Sequence, residues 1–210
     1  MIFIRVLCIA MLSLLCSAAQ ASPESDFWKW FQKNEKMLFD FEKNQERTFD
    51  QLETEMHKVN STLTFEFGPK EGGKREFVIS ADGVKEVFPS VEKLYAAAPP
   101  LKKWKLTKFR PRREPYDIAY QGVTVKADSV TVLIERDAGG AALTVLIPGY
   151  TSAQHETFVG ITYLLLDQAL GEFDVETRVG NIQVAAPSDQ FARAVPLKNL
   201  AREFDAFLTR

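Results

Sequence analysis

Residues 61–83 read STLTFEFGPKEGGKREFVISADG. Leu63, Phe65 and Phe67 alternate with Thr64 and Glu66, which puts the apolar side chains on one face of an extended chain. Beyond Gly72-Gly73 the same period returns at Arg75, Phe77 and Ile79, so the stretch predicts a β-hairpin turned at the glycines. Residues 129–149, SVTVLIERDAGGAALTVLIPG, repeat this grammar. Val130, Val132 and Ile134 alternate, Gly139-Gly140 supplies the turn, and Leu143, Val145 and Ile147 follow. Aligning the two glycine pairs at an offset of 67 residues sets Leu63, Phe65 and Phe67 opposite Val130, Val132 and Ile134. Arg75, Phe77 and Ile79 then fall opposite Ala142, Thr144 and Leu146.

Each hairpin is followed by a helical pattern and another strand. Residues 82–100, DGVKEVFPSVEKLYAAAPP, read as helix disturbed by Pro89 and ended by Pro99-Pro100, with KWKLTKFRP as the strand beyond. After the second hairpin, TSAQHETFVGITYLLLDQALGEF predicts a helix ended near Gly171, and NIQVAA a final short strand. A strand pair in YDIAYQGVTVK links the two units. The expected fold class is therefore α+β: an antiparallel sheet built from two hairpin–helix–strand units over residues 61–210. The tail PLKNLAREFDAFLTR places Leu197, Leu200, Phe204, Phe207 and Leu208 on one face, which predicts a closing amphipathic helix.

Ahead of the first hairpin, residues 22–60 form an expected helical arm. Phe27, Trp30, Phe31, Met37, Leu38, Phe41, Phe49, Leu52, Met56 and Val59 share one broad helical stripe. Asn34, Gln45 and Thr48 interrupt it, so the arm is expected to break within FDFEKNQE. The cluster SDFWKWFQKNE opens it with Ser25 or Asp26 as cap. Trp28 and Phe39 lie off the stripe, which reads either as a helix covered on two sides or as an exposed aromatic pair for a partner.

The first 21 residues carry Arg5, an apolar run from Val6 to about Leu15, and Ala19-Gln20-Ala21. That order predicts a secretory signal peptide cleaved after Ala21, and hence a periplasmic or secreted protein. Ser13, Ser17 and Gln20 interrupt the run before it reaches the roughly 17–25 residues that a membrane span needs. Both cysteines, Cys8 and Cys16, fall within this leader, so the processed chain would have no disulfide to form. Removing 21 of 210 residues leaves 189, enough for one core. The formal charge of −2 becomes −3 with Arg5 gone, which speaks against nucleic acid as a general partner.

The inventory for catalysis is short. Two histidines, His57 and His155, show no zinc-binding spacing, and no nucleophile elbow or phosphate-binding glycine loop occurs. No catalytic, metal or cofactor residue is therefore assigned, and no cofactor is expected. Glu172, Asp174 and Glu176 alternate in GEFDVETRVG; read as extended, they form a solvated strand face with Phe173, Val175 and Val179 turned inward. With Asp167, the same carboxylates are the alternative, as oxygen ligands for a hard cation or as an acid/base pair. In LKKWKLTKFRPRREP, Lys102, Lys103, Lys105, Lys108, Arg110, Arg112 and Arg113 put seven cations in twelve residues around Trp104 and Phe109. Such a run suits an acidic partner surface, or simply a protected edge strand followed by a solvated loop.

FWKWF, LTFEFGP, REFVISADG with FPSVEKL, AAPPLKKW with FRPRR, and LLLDQALGEFDVETRVG together resemble a family of uncharacterised bacterial proteins. The resemblance spans Phe27 to the final strand and implies a compact α+β domain, with no catalytic residue to carry over. On these grounds the chain reads as a non-enzymatic, exported bacterial protein that binds a macromolecule in the envelope. Its expected contact residues are Trp28, Phe39, Lys105, Lys108, Arg110, Arg112 and Arg113. The alternatives are a hydrolase using the 172–176 carboxylates or His155, and a binder of small anions using the arginine loop.

Overall fold

The computed structural model describes residues 22–137 and 140–209. The expected leader, with Cys8 and Cys16, and Gly139 of the second turn lie outside the described residues.

The two units are present. In the first, β1 (Thr64–Glu71) and β2 (Lys74–Ser80) pair antiparallel, α4 (Phe88–Ala96) crosses over, and β3 (Trp104–Lys108) returns beside β2. In the second, β6 (Thr131–Asp137) and β7 (Gly140–Leu146) form the hairpin. Helices α5 (His155–Leu170) and α6 (Glu172–Arg178) then cross over to β8 (Val179–Ala185), which lies beside β7. A short ribbon, β4 (Ile118–Tyr120) and β5 (Val123–Val125), links them. The hairpins are antiparallel, but β3 and β8 run parallel to their neighbours, so each sheet is mixed. A helical crossover carries the chain back to the end from which it left, which forces that direction. NIQVAA is not the last strand: β9 (Val195–Pro196) pairs with β6 at the far edge.

Each sheet has its own apolar layer. Val132, Leu143 and Val145 pack under α5 through Phe158, Ile161 and Leu165. The tail helix α7 (Leu200–Leu208) closes this layer with Leu200 and Phe204. The first sheet is covered by α4 and by the arm, which comprises α1 (Pro23–Lys33), α2 (Glu35–Phe39) and α3 (Gln45–His57). The arm breaks at Asn34 and again between Asp40 and Asn44, the second break falling inside FDFEKNQE as expected. Ser22, not Ser25 or Asp26, caps α1, its hydroxyl accepting from the Ser25 N–H.

Trp28 is buried, 2% exposed, and donates its indole N–H to the Leu94 carbonyl at 2.7 Å. Helix α1 touches α4 through Trp28 and the sheet through Phe27 and Phe31 against Phe77, so the aromatic cluster is the root of the arm rather than a surface. Phe39 is half-buried edge-on to Trp104 (5.7 Å), with the ammonium groups of Lys70 and Lys103 5.0 and 5.7 Å from its ring. Arg75 is buried beneath Phe41, donates to the Gly68 carbonyl and pairs with Glu42, tying the arm to β2.

The reading of 172–178 as extended chain is corrected. Gly171, at φ +79°, ends α5 and leads into α6, a helix. A Cβ at Gly171 would stand 3.1 Å from the Arg110 carbonyl and the Arg112 nitrogen, so only glycine lets the two backbones approach. Phe173, expected inward, is 44% exposed, while Glu172, expected outward, is fully buried.

Candidate functional site

The arginine loop is a clasp inside the fold. Phe109 leaves β3 at φ +63°, a strained conformation for a bulky residue, and is anchored by its N–H on the Ile79 carbonyl. Arg110 then exchanges backbone hydrogen bonds with Glu172: its carbonyl accepts the Glu172 N–H, and its N–H donates to Oε2. Oε1 of Glu172 accepts the N–H groups of Ala81 (2.9 Å) and Gly83 (3.1 Å). One carboxylate at the start of α6 thus holds the β2–α4 turn, the 109–113 loop and the second unit together. These amide donors satisfy both carboxyl oxygens in a place that water does not reach.

The side chains of the loop complete the clasp. Arg110 pairs with Glu66, Asp82 and Asp167, and Arg112 with Asp174 on α6 and Asp205 on α7. Arg113 pairs with Glu66 and Glu76, Lys105 with Glu76, and Lys108 with Glu92. Burial works against the Arg110 charge, but the Asp82 hydrogen bond and the neighbouring carboxylates raise its pKa. Of the seven expected contact residues, therefore, Trp28 is unavailable at the surface, Phe39 is covered by cations of its own chain, and the five cations are each engaged by carboxylates of this fold. Lys105 and Lys108 remain the most exposed of the five, and exposed pairs of this kind hold by only about 0–1 kcal/mol.

Sequence reasoning missed the face beside the clasp. Three depressions run along the solvent side of α5. One of about 140 Å³ lies between Tyr116, Arg110, Asp167 and Leu164. The next, about 390 Å³, is lined by Asp82, Gly83, Tyr120, Gly160, Tyr163 and Glu176 and shares Arg110, Leu164 and Asp167 with the first. The third, about 370 Å³, runs from Tyr163 to His155 beside Ile182 and Val184 of β8. Among the described residues, seven large apolar or aromatic side chains are prominently exposed; Tyr116, Tyr120, Tyr163 and Leu164 are four of them, and all four border this groove. A concentration of that kind marks an interaction surface better than scattered exposure does. The arm carries another open depression, about 430 Å³, but Lys33, Lys36 and Lys43 line it and no aromatic side chain does.

The carboxylates of the groove are perturbed. Burial, reinforced by Glu172 and Glu176 and opposed by Arg110, pushes Asp167 up to about 6. Glu176 is raised by burial and by Glu172, with Lys85 opposing. His155 lies at the opposite end of α5, in the third depression, with Nδ1 3.0 Å from the Tyr150 hydroxyl. His57 lies on the arm near Glu53. No cluster of three or more His, Cys, Asp or Glu among the described residues is arranged to hold a metal ion. No helix among them is long and apolar enough to cross a membrane.

The raised Asp167 fixes a pH dependence. An acid whose pKa is higher folded than unfolded binds more protons in the folded state, so its effect on stability turns unfavourable as pH climbs from about 4 through 6. Stability is expected to fall by about 1–3 kcal/mol across that window on account of Asp167. Glu176 adds in the same direction. Urea midpoints at pH 4.5 and 7 should show the fall in the native chain and a shallower one in Asp167→Asn. Equal slopes would remove Asp167 from the account.

Comparison of the chain with protein-family models, with curated proteins and with solved structures finds no match.

Proposed function

We propose that the protein is an exported, non-enzymatic binding protein of the bacterial cell envelope, and that it holds a polypeptide partner along the exposed face of α5. The signal-peptide pattern of residues 1–21 supports the location, and the motif resemblance supports the bacterial assignment. The observation that carries the binding reading is the aromatic groove: Tyr116, Tyr120, Tyr163 and Leu164 bordering three consecutive depressions on one helix. A row of small depressions bordered by tyrosines suits an extended chain better than one compact ligand.

The test is partner capture from native envelopes with three forms of the processed protein, followed by partner identification. A partner held by the native form should survive Lys105→Glu/Lys108→Glu and be lost from Tyr163→Ala/Leu164→Ala. The reverse pattern would move the site to the lysine edge and overturn the groove assignment.

A second reading is favoured by one observation: Asp167, at about 6, shares a cleft with the raised Glu176, an environment in which a carboxyl group serves as an acid near neutral pH. A carboxylate hydrolase would lose turnover in both Asp167→Asn and Glu176→Gln, with a pH–rate profile bending near 6.

A further inference from the structure

Resting on the groove reading, we infer that the middle depression receives a positively charged side chain, ammonium or guanidinium, from the bound polypeptide. Its charge is out of balance. Asp82, Asp167 and Glu176 line it with one guanidinium, Arg110, which pairs with Asp82, Asp167 and Glu66, while Glu176 feels the Lys85 ammonium from outside the lining. Glu176 makes no ion pair or hydrogen bond among the described residues, although it is only half-exposed. Asp167 and Glu176 are raised chiefly by burial, with Glu172 adding to both and Arg110 and Lys85 opposing, and a cation entering the pocket favours their ionised forms.

The walls favour an organic cation. Tyr120 lies so close to α5 that a Cβ at Gly160 would come within 2.8 Å of its ring, so the glycine is what admits the ring. Tyr163 lies three positions along the same helix and lines the same pocket. Tyrosine faces attract ammonium and guanidinium groups by about 0.5–2 kcal/mol, more as water is excluded. A bare metal ion would need several oxygens converging on one point, and no group of three carboxylates is so placed among the described residues. An anion would find Arg110 already engaged. At about 390 Å³ the pocket is within the usual size range for ligand sites.

The processed protein, isotopically labelled, is titrated with Nα-acetyl-arginine amide, with Nα-acetyl-lysine amide, and with the citrulline analogue, which keeps the arginine shape without its charge. Saturable shifts of the Gly83 and Gly160 amides are expected with both cations, with citrulline at least about tenfold weaker and the cations weakening as salt rises. Glu176→Gln, which removes a charge held by no hydrogen bond or ion pair among the described residues, should keep the fold by circular dichroism and weaken both cations about tenfold. Equal binding of citrulline, or cation binding indifferent to Glu176→Gln, overturns the inference. Failure of the cations to shift these amides also overturns it. If an uncharged peptide from the captured partner still perturbs Tyr163 and Leu164 in that case, the groove reading survives without the cation; if nothing perturbs them, both fall.

Discussion

Glu172→Ala is expected to cost about 3–5 kcal/mol of folding stability. The carboxylate is fully buried and accepts three backbone N–H groups, from Ala81, Gly83 and Arg110. Its donors lie 91, 89 and 62 residues away, so the loss is tertiary rather than local. Truncation leaves three donors without an acceptor, and each unsatisfied buried amide costs about 1–3 kcal/mol, eased where water enters. Glu172→Gln should fall between native and alanine, because one amide oxygen still accepts while the NH₂ opposes another donor. Urea unfolding measures both. A loss below about 1 kcal/mol for alanine would mean that the three amides find water instead, and that the clasp is ornamental.

Phe31→Ala is the second, also with an expected loss of about 3–5 kcal/mol. The ring is fully buried and meets Trp104 at 5.0 Å, Phe77 at 5.1 Å and Trp28 at 5.3 Å. Trp104 and Phe77 belong to the sheet, so the cavity would open at the joint between arm and sheet. Aromatic pairs add about 0.5–1.5 kcal/mol each beyond burial, which places this site at the upper end for a truncation. If the arm were only loosely attached, the substitution would shift the unfolding midpoint no more than an exposed one does.

The hairpins were legible because two independent signals agree in them. The period-two alternation sets the face in both, and β1–β2 and β6–β7 pair accordingly; Gly72-Gly73 forms the first turn, but Gly140, expected in the second, already pairs with Asp137 as the first residue of β7. The arm was legible for a similar reason, its apolar stripe and its polar interruptions marking both the helices and the break after Phe39. In EFDVETR, by contrast, carboxylates at every second position suit a strand, while Glu172 and Val175, three apart, suit a helix with one buried face. What decides is the set of amides waiting for Glu172, donated from a turn and a loop far away in sequence. The cation run misled in the same way. Its charges are visible in the chain, but the carboxylates that engage them are not: Asp82 is 28 residues from Arg110, and Asp205 is 93 from Arg112.

The groove was hidden by the composition of α5. HETFVGITYLLLDQAL is apolar nearly all round its second half, so Tyr163 and Leu164 cannot be told from Leu165 and Leu166 by periodicity. The one local hint is Gly160, a residue that weakens a helix interior unless something packs against it. Here Tyr120 does.

The account depends on the two units being joined through Glu172, since the groove on α5 takes Asp82, Gly83 and Arg110 from the far side of that joint. Native-state hydrogen exchange at the amides of Ala81, Gly83 and Arg110 tests this most directly. The account predicts that all three exchange only through global unfolding, with protection matching that of the β2 core, and that Glu172→Gln releases at least one of them selectively. Rapid exchange of these amides in the native chain, with β2 still protected, would contradict it.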